Sequence, residues 1–154
     1  MTVVQKKAIV PVTVAVNSLV GAPFESGARG PLSFDCWGLV LHVLREVYAI
    51  EAPDWDLKTE EKLRTRRIIA AEIASERWHK VEALAGGEVV IAAQAGREHH
   101  VGIVICGGIL HAEQSIGVHF EPIDLFKRRF QKVAFYRWTA DPLVERDAVA
   151  RVVE

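Results

Sequence analysis

The sequence predicts an α+β domain, with helices in its first half laid against an antiparallel β-sheet made by its second half. Three observations predict it. After Asp35 the chain runs apolar, at helical period, to about residue 50. Beyond Gly86-Gly87 it breaks into short β-type runs separated by turn signals. Its 154 residues, 50% apolar and 25% charged, suit one globular domain rather than a disordered chain.

The elements follow in order. Residues 1–10 read as an extended arm. Residues 11–20 carry a short helix pattern, stopped by Gly21 with Pro23 following. Lys6-Lys7 ahead of the apolar stretch 8–16 also resembles a short signal segment, although Pro11 and Thr13 interrupt it. Cleavage near Gly21-Ala22 would remove a piece expected to pack beside the next helix. Residues 21–33 form a Gly/Pro-rich loop. The helix over 36–50 confines His42, Arg45 and Glu46 to one narrow stripe, so most of its surface is expected to be buried. A second, more amphipathic helix spans 58–79, with Leu63, Ile69 and Ile73 inward and Arg64, Arg66 and Arg67 outward. Strands are expected over 88–93, 100–106, 109–113, 116–121 and 132–138, with Gly107-Gly108 as a hairpin turn. Asp124 to Arg129 reads as one or two helical turns, and 139–154 as an amphipathic tail.

Charge and composition exclude several classes. A net charge of −1 gives no general pull toward nucleic acid or an anionic membrane. No apolar run approaches the roughly 18 residues of a membrane span. Two cysteines, Cys36 and Cys106, are too few for a disulfide framework. The six histidines are scattered and neither CxxC nor HExxH occurs, so no metal and no cofactor is expected.

One pairing carries chemistry. Cys36 stands in the first turn of a helix behind Asp35, a good N-cap residue, and a helix N-terminus favours thiolate over thiol. His99-His100 open a distant strand. Alternation sends these two histidines to opposite faces, so one of them can face Cys36. A cysteine with a distant histidine suits nucleophilic catalysis; a buried structural thiol and a surface histidine are the plainer alternatives. Gly38 permits close backbone approach or close helix packing. If the turn is at 107–108, His111 pairs with Val104, on the face of His100 but roughly 13 Å along the strand from it. Twist, a bulge at Gly102 or a shifted register must close that gap; Gln114 and His119 are the other orienting candidates. Lys127, Arg128, Arg129 and Lys132 read as a solvated basic face. Trp37, Trp55, Trp78 and Trp138 read as core or rim aromatics, or the lining of a groove. Cys106 reads as a small buried residue.

Gly21-Ala22-Pro23-Phe24, Phe34-Asp35-Cys36-Trp37-Gly38-Leu39-Val40, His100-Val101-Gly102-Ile103-Val104 and Ile109-Leu110-His111-Ala112 resemble, in order and spacing, the NlpC/P60 cysteine peptidases. The resemblance implies a papain-like α+β fold with the nucleophile at a helix start. It implies Cys36 as nucleophile, His100 as general base and His111 as the orienting third residue. Phe24, Asp35 and Trp37 would line the substrate or oxyanion region. The implied activity is hydrolysis of peptidoglycan stem peptides, typically between D-γ-glutamyl and a diamino acid. Two departures stand out. Phe24 replaces the tyrosine common in the family, and losing one oxyanion donor costs about 10²–10³ in rate where it has been tested. The interval from His100 to His111 is also one residue shorter than the family's.

The subgroup it most resembles, with tryptophan directly after the cysteine, is encoded in tailed phages and gene transfer agents. That implies a place in a virion tail tip or baseplate beside other tail proteins. The chain would divide into a docking arm at 1–10, a catalytic domain at 11–138 and a docking tail at 139–154. The rival expectations are a periplasmic enzyme of cell-wall remodelling, a structural tail component with weak or no activity, and an acyltransferase or amidase on the same scaffold.

Overall fold

The structure is a computed structural model describing residues 11–54, 62–93 and 100–139. The elements are α1 (Val12–Leu19), α2 (Cys36–Tyr48), α3 (Lys62–Ala74), β1 (Trp78–Val81), β2 (Val89–Ala93), β3 (His100–Ile105), β4 (Gly108–Glu113), β5 (Gly117–Pro122), α4 (Ile123–Arg129) and β6 (Lys132–Trp138). The strands form one antiparallel sheet in the order β1-β6-β2-β3-β4-β5. The expected α+β architecture, helices first and antiparallel sheet second, is what the chain adopts. The arm at 1–10 and residues 140–154 of the tail lie outside the described residues, as do Trp55 and His99.

Strand alternation gives the sheet two apolar faces. Val101, Ile103 and Ile105 of β3 and Leu110 and Ala112 of β4 join α1, α2 and α3 in the larger core. Val104, Ile109, Val90 and Ala92 point the other way and pack with Phe126 of α4 and Phe135. Within α2, eight of the thirteen residues are buried, as its narrow polar stripe requires.

Four expectations change. The helix over 58–79 ends at Ala74 within the described residues, and Trp78 starts an edge strand whose ring meets Trp138 edge-on at 4.9 Å. Helix α2 stops at Tyr48 because Ala49 turns left-handed, with φ of 56°. The β3–β4 turn is Cys106-Gly107, both at positive φ (55° and 73°), as a two-residue hairpin requires, with Ile105 opposite Gly108. At the tip of that turn Cys106 is exposed, not buried.

Candidate active site

The loop before α2 is built to hold the helix start. Phe34 donates its N–H to the Pro23 carbonyl, Glu25 donates to the Phe34 carbonyl, and Asp35 donates to the Ala28 carbonyl. The Asp35 side chain is the expected N-cap: one oxygen accepts from the Gly38 N–H at 2.6 Å and from Arg29 at 2.9 Å, the other from the Gly27 N–H at 2.9 Å. With its carboxylate so engaged and buried, Asp35 shapes the loop around the cysteine. Gly38 is there for close backbone approach, since a Cβ would run into the Ala28 carbonyl oxygen. The Trp37 side chain is a core aromatic: it is 2% exposed, packs edge-on against Trp78 and donates its indole N–H to the Pro53 carbonyl. Phe24 is half-buried, packs against the larger core and bridges to Phe34.

The loop that holds the start of α2 and the far end of the helix each meet one end of the sheet. Gly21 donates to the Val118 carbonyl and Val118 donates back to the Ala22 carbonyl, beside the Glu113–Gly117 pair. At the far end Tyr48 lies against Gly86 and Gly87, and Gly87 donates to the Val104 carbonyl. Helix α2 therefore runs along the sheet with half-buried Cys36 at the end where β3 begins with His100.

His100 and His111 meet directly: His100 Nε2 lies 2.9 Å from His111 Nδ1. Register explains it. Pairing of Val104 with Ile109 and Ile103 with Leu110, carried on one residue, sets His111 opposite Gly102 rather than Val104. His100 is then a diagonal neighbour, within reach of a ring. The 13 Å gap closes by shifted register, because the two-residue turn falls one residue earlier than expected. A Cβ at Gly102 would stand 3.0 Å from the His111 Cβ, so this glycine makes the room.

On the other side, Glu121 of β5 is diagonal to His111, and His111 Nε2 lies 2.8 Å from Glu121 Oε1. Arg129, at the end of α4, binds both Glu121 (3.1 Å) and Glu113 (2.8 Å). His119 Nε2 bonds Glu113 at 2.7 Å, and its ring lies 4.2 Å from that of His111. Phe130 stacks on His100, and Phe126 meets His111 edge-on. Gln114 is exposed.

Burial among these rings sets the protonation of the pair. It pushes His100 down to about 4, with Arg129 and His119 lowering it further and Glu113 opposing. Burial, then the neighbouring His100, His119 and Arg129, push His111 down to about 2. Both rings are neutral at pH 5–8, so each has one donor and one acceptor nitrogen. The scattered histidines also converge more than the sequence indicated: ligand atoms of His111, Glu113, His119 and Glu121 all lie within 4.8 Å of one another. The Arg129 guanidinium already supplies positive charge there, so Arg129 belongs to the site rather than to a solvated basic face.

Glu121, Glu113 and Arg129 are the residues that sequence reasoning missed. Glu113 and Glu121 are single carboxylates in β4 and β5, Arg129 is one of three basic residues ending α4, and only the β4–β5 register and the fold of α4 bring them together.

The pattern of the NlpC/P60 family matches residues 21–135. Among solved structures, the NlpC/p60 domain of the peptidoglycan hydrolase SagA is similar at 18% identity and TM-score 0.54, over 83% of this chain and 96% of that one. NlpC2 from Trichomonas vaginalis is similar at 18% identity and TM-score 0.57, over 83% of this chain and 45% of that one. No curated protein matches the chain.

Proposed function

Because the chain belongs to the NlpC/P60 family, we propose that it is a cysteine peptidase acting on peptidoglycan stem peptides, with Cys36 as nucleophile, His100 as general base and His111 as the orienting residue. The observation that carries this reading is the chain His100–His111–Glu121, joined at 2.9 and 2.8 Å, at the end of the sheet where α2 begins with Cys36. One structural neighbour is a domain of a peptidoglycan hydrolase, which supports the substrate class.

The tautomers give the reaction its direction. An ionised Glu121 only accepts, so His111 donates from Nε2 and accepts at Nδ1. His100 therefore donates from Nε2 and keeps a lone pair on Nδ1. In the reaction, Nδ1 takes the Cys36 thiol proton as Sγ attacks the amide carbonyl carbon. The Cys36 backbone N–H, at the N-terminus of α2, stabilises the developing oxyanion in place of the hydroxyl that Phe24 lacks, the Gly38 N–H being held by Asp35. Nδ1 then protonates the leaving amine as the C–N bond breaks. Water, activated by the same nitrogen, cleaves the thioester and returns the thiol. Neutral His100, with its pKa near 4, favours a thiol–imidazole pair at rest over a thiolate–imidazolium pair.

The bond we assign is D-γ-glutamyl to diamino acid, and the setting a phage-like tail tip or baseplate, on the sequence resemblance alone. One observation bears on the periplasmic rival. Helix α1 buries Ala15, Val16 and Leu19 in the larger core, which argues against removal of this segment as a signal peptide. No helix among the described residues is long and apolar enough to cross a membrane. A structural tail protein remains the second reading, favoured by Phe24. Digestion of purified peptidoglycan by the wild type and by Cys36→Ala, read by mass spectrometry, separates these. New stem-peptide fragments from the wild type alone support the peptidase and name its bond; none from either folded protein refutes it.

A further inference from the structure

The geometry points to Glu121 as the residue that fixes the tautomer of His111, and through it aims the free lone pair of His100 outward at Nδ1. This inference rests on the peptidase reading for its catalytic meaning, but the tautomer itself is testable without it.

His111 has no exposure to solvent, and its two ring nitrogens have different partners: His100 at Nδ1 and Glu121 at Nε2. Without Glu121, the two neutral rings could share their proton either way round. If His111 carried its proton on Nδ1, it would donate to His100 Nε2, and His100 would then hold its own proton on Nδ1. That tautomer has no base to offer a thiol. A carboxylate at Nε2 removes this choice, because it cannot donate. Second-sphere partners of this kind set ring orientation and tautomer at metal-bound histidines. Here the same logic works along a pair of imidazoles.

The surroundings keep Glu121 on this task. Its Oε1 also accepts from Arg129, which is anchored in turn on Glu113. His119 is the competing candidate, its ring tilted 49° to that of His111 at 4.2 Å, but its Nε2 is bonded to Glu113, and both ring nitrogens of His111 are taken by His100 and Glu121. All charged groups facing the pair (Glu113, Glu121, Arg129 and His119) thus form one network in which Glu121 alone reaches His111 Nε2 among the described residues.

The test is ¹⁵N NMR of the histidine rings near pH 7, in protein labelled at histidine, for the wild type, Glu121→Leu and Glu121→Gln. The wild type is expected to show both His100 and His111 protonated at Nε2 and bare at Nδ1. In Glu121→Leu the Nδ1–H form of His111 should appear, with kcat on a soluble stem peptide down about 10–100-fold and KM unchanged. Glu121→Gln keeps an oxygen that accepts from both His111 and Arg129, so it should hold the wild-type tautomer and recover most of kcat. A merely structural Glu121 would lower stability in the leucine variant and leave the tautomer alone. An Nδ1–H His111 in the wild type overturns the inference even if no variant folds, as does an unshifted tautomer in folded Glu121→Leu. An inactive wild type with the expected spectra overturns the peptidase reading instead.

Discussion

Acidification should destabilise this domain between pH 6.5 and 5, with the histidine pair as the main cause. An unfolded histidine titrates near 6.5, whereas the folded values are about 4 for His100 and about 2 for His111. Both folded values are depressed, so between pH 6.5 and 4 the unfolded chain holds more protons than the native one. Stability is then complete above the unfolded pKa and falls as pH falls. At pH 5 the difference approaches two protons, and at about 1.4 kcal/mol per proton per pH unit the slope is about 2–3 kcal/mol per unit. Solvent at the partly open His100 ring holds it to the lower part of that range. His42, also lowered by burial, acts in the same direction. Glu88 and Glu113 lose their contributions only at lower pH, because their folded values lie below the ordinary carboxylate range. Urea unfolding followed by tryptophan fluorescence at pH 7.5, 6.5, 5.5 and 5.0 measures the slope. His111→Gln should remove about one proton from it. A flat profile, or a variant slope equal to the wild type's, would refute the neutral buried pair. Stability that rises on acidification would instead place a proton on His100 in the native state, the mark of a resting thiolate–imidazolium pair.

Two further substitutions test how the site is positioned. Gly102→Ala puts a Cβ 3.0 Å from both the His111 Cβ and the Ile109 Cγ2; it should cost about 1–3 kcal/mol by overpacking and reduce turnover about 10²-fold through ring displacement. Wild-type turnover in that variant would show that Gly102 does not set the contact. Asp35→Ala removes the cap of α2, takes the acceptor from the Gly27 N–H and leaves Arg29 with Asp54 as its carboxylate partner, so the urea midpoint should fall by the equivalent of about 2–4 kcal/mol, while Asp35→Asn keeps a cap acceptor and loses less; an unchanged midpoint in the alanine variant would remove Asp35 from its anchoring role.

What was legible in the sequence was local. The cap of Asp35, the cysteine at the helix start and the buried face of α2 are each written within one or two turns of chain. The shared face of His100 and His111 needed only a two-residue turn: a turn at 107–108 pairs His111 with Val104, the observed turn at 106–107 sets it opposite Gly102, and alternation puts both of these on the face of His100. The distance between them was not legible, because it depends on where the hairpin turns. Gly107-Gly108 offers the stronger turn signal, yet Gly108 is a strand residue: a Cβ there would strike the Phe120 ring and the Glu121 carbonyl. Its glycine serves close approach within the sheet, and the turn falls one residue earlier, on Cys106. That shift moves the pairing by two residues and turns a separation of four positions into a diagonal contact. The same register logic hid Glu121, whose side chain matters only because His119 lies opposite His111 and leaves Glu121 on the diagonal. Trp37 shows the limit from the other side: the resemblance set it in the substrate or oxyanion region, but helical geometry turns a side chain by about 100° per residue. The residue after a helix-start nucleophile therefore faces a different way, and here that way is the core beside Trp78.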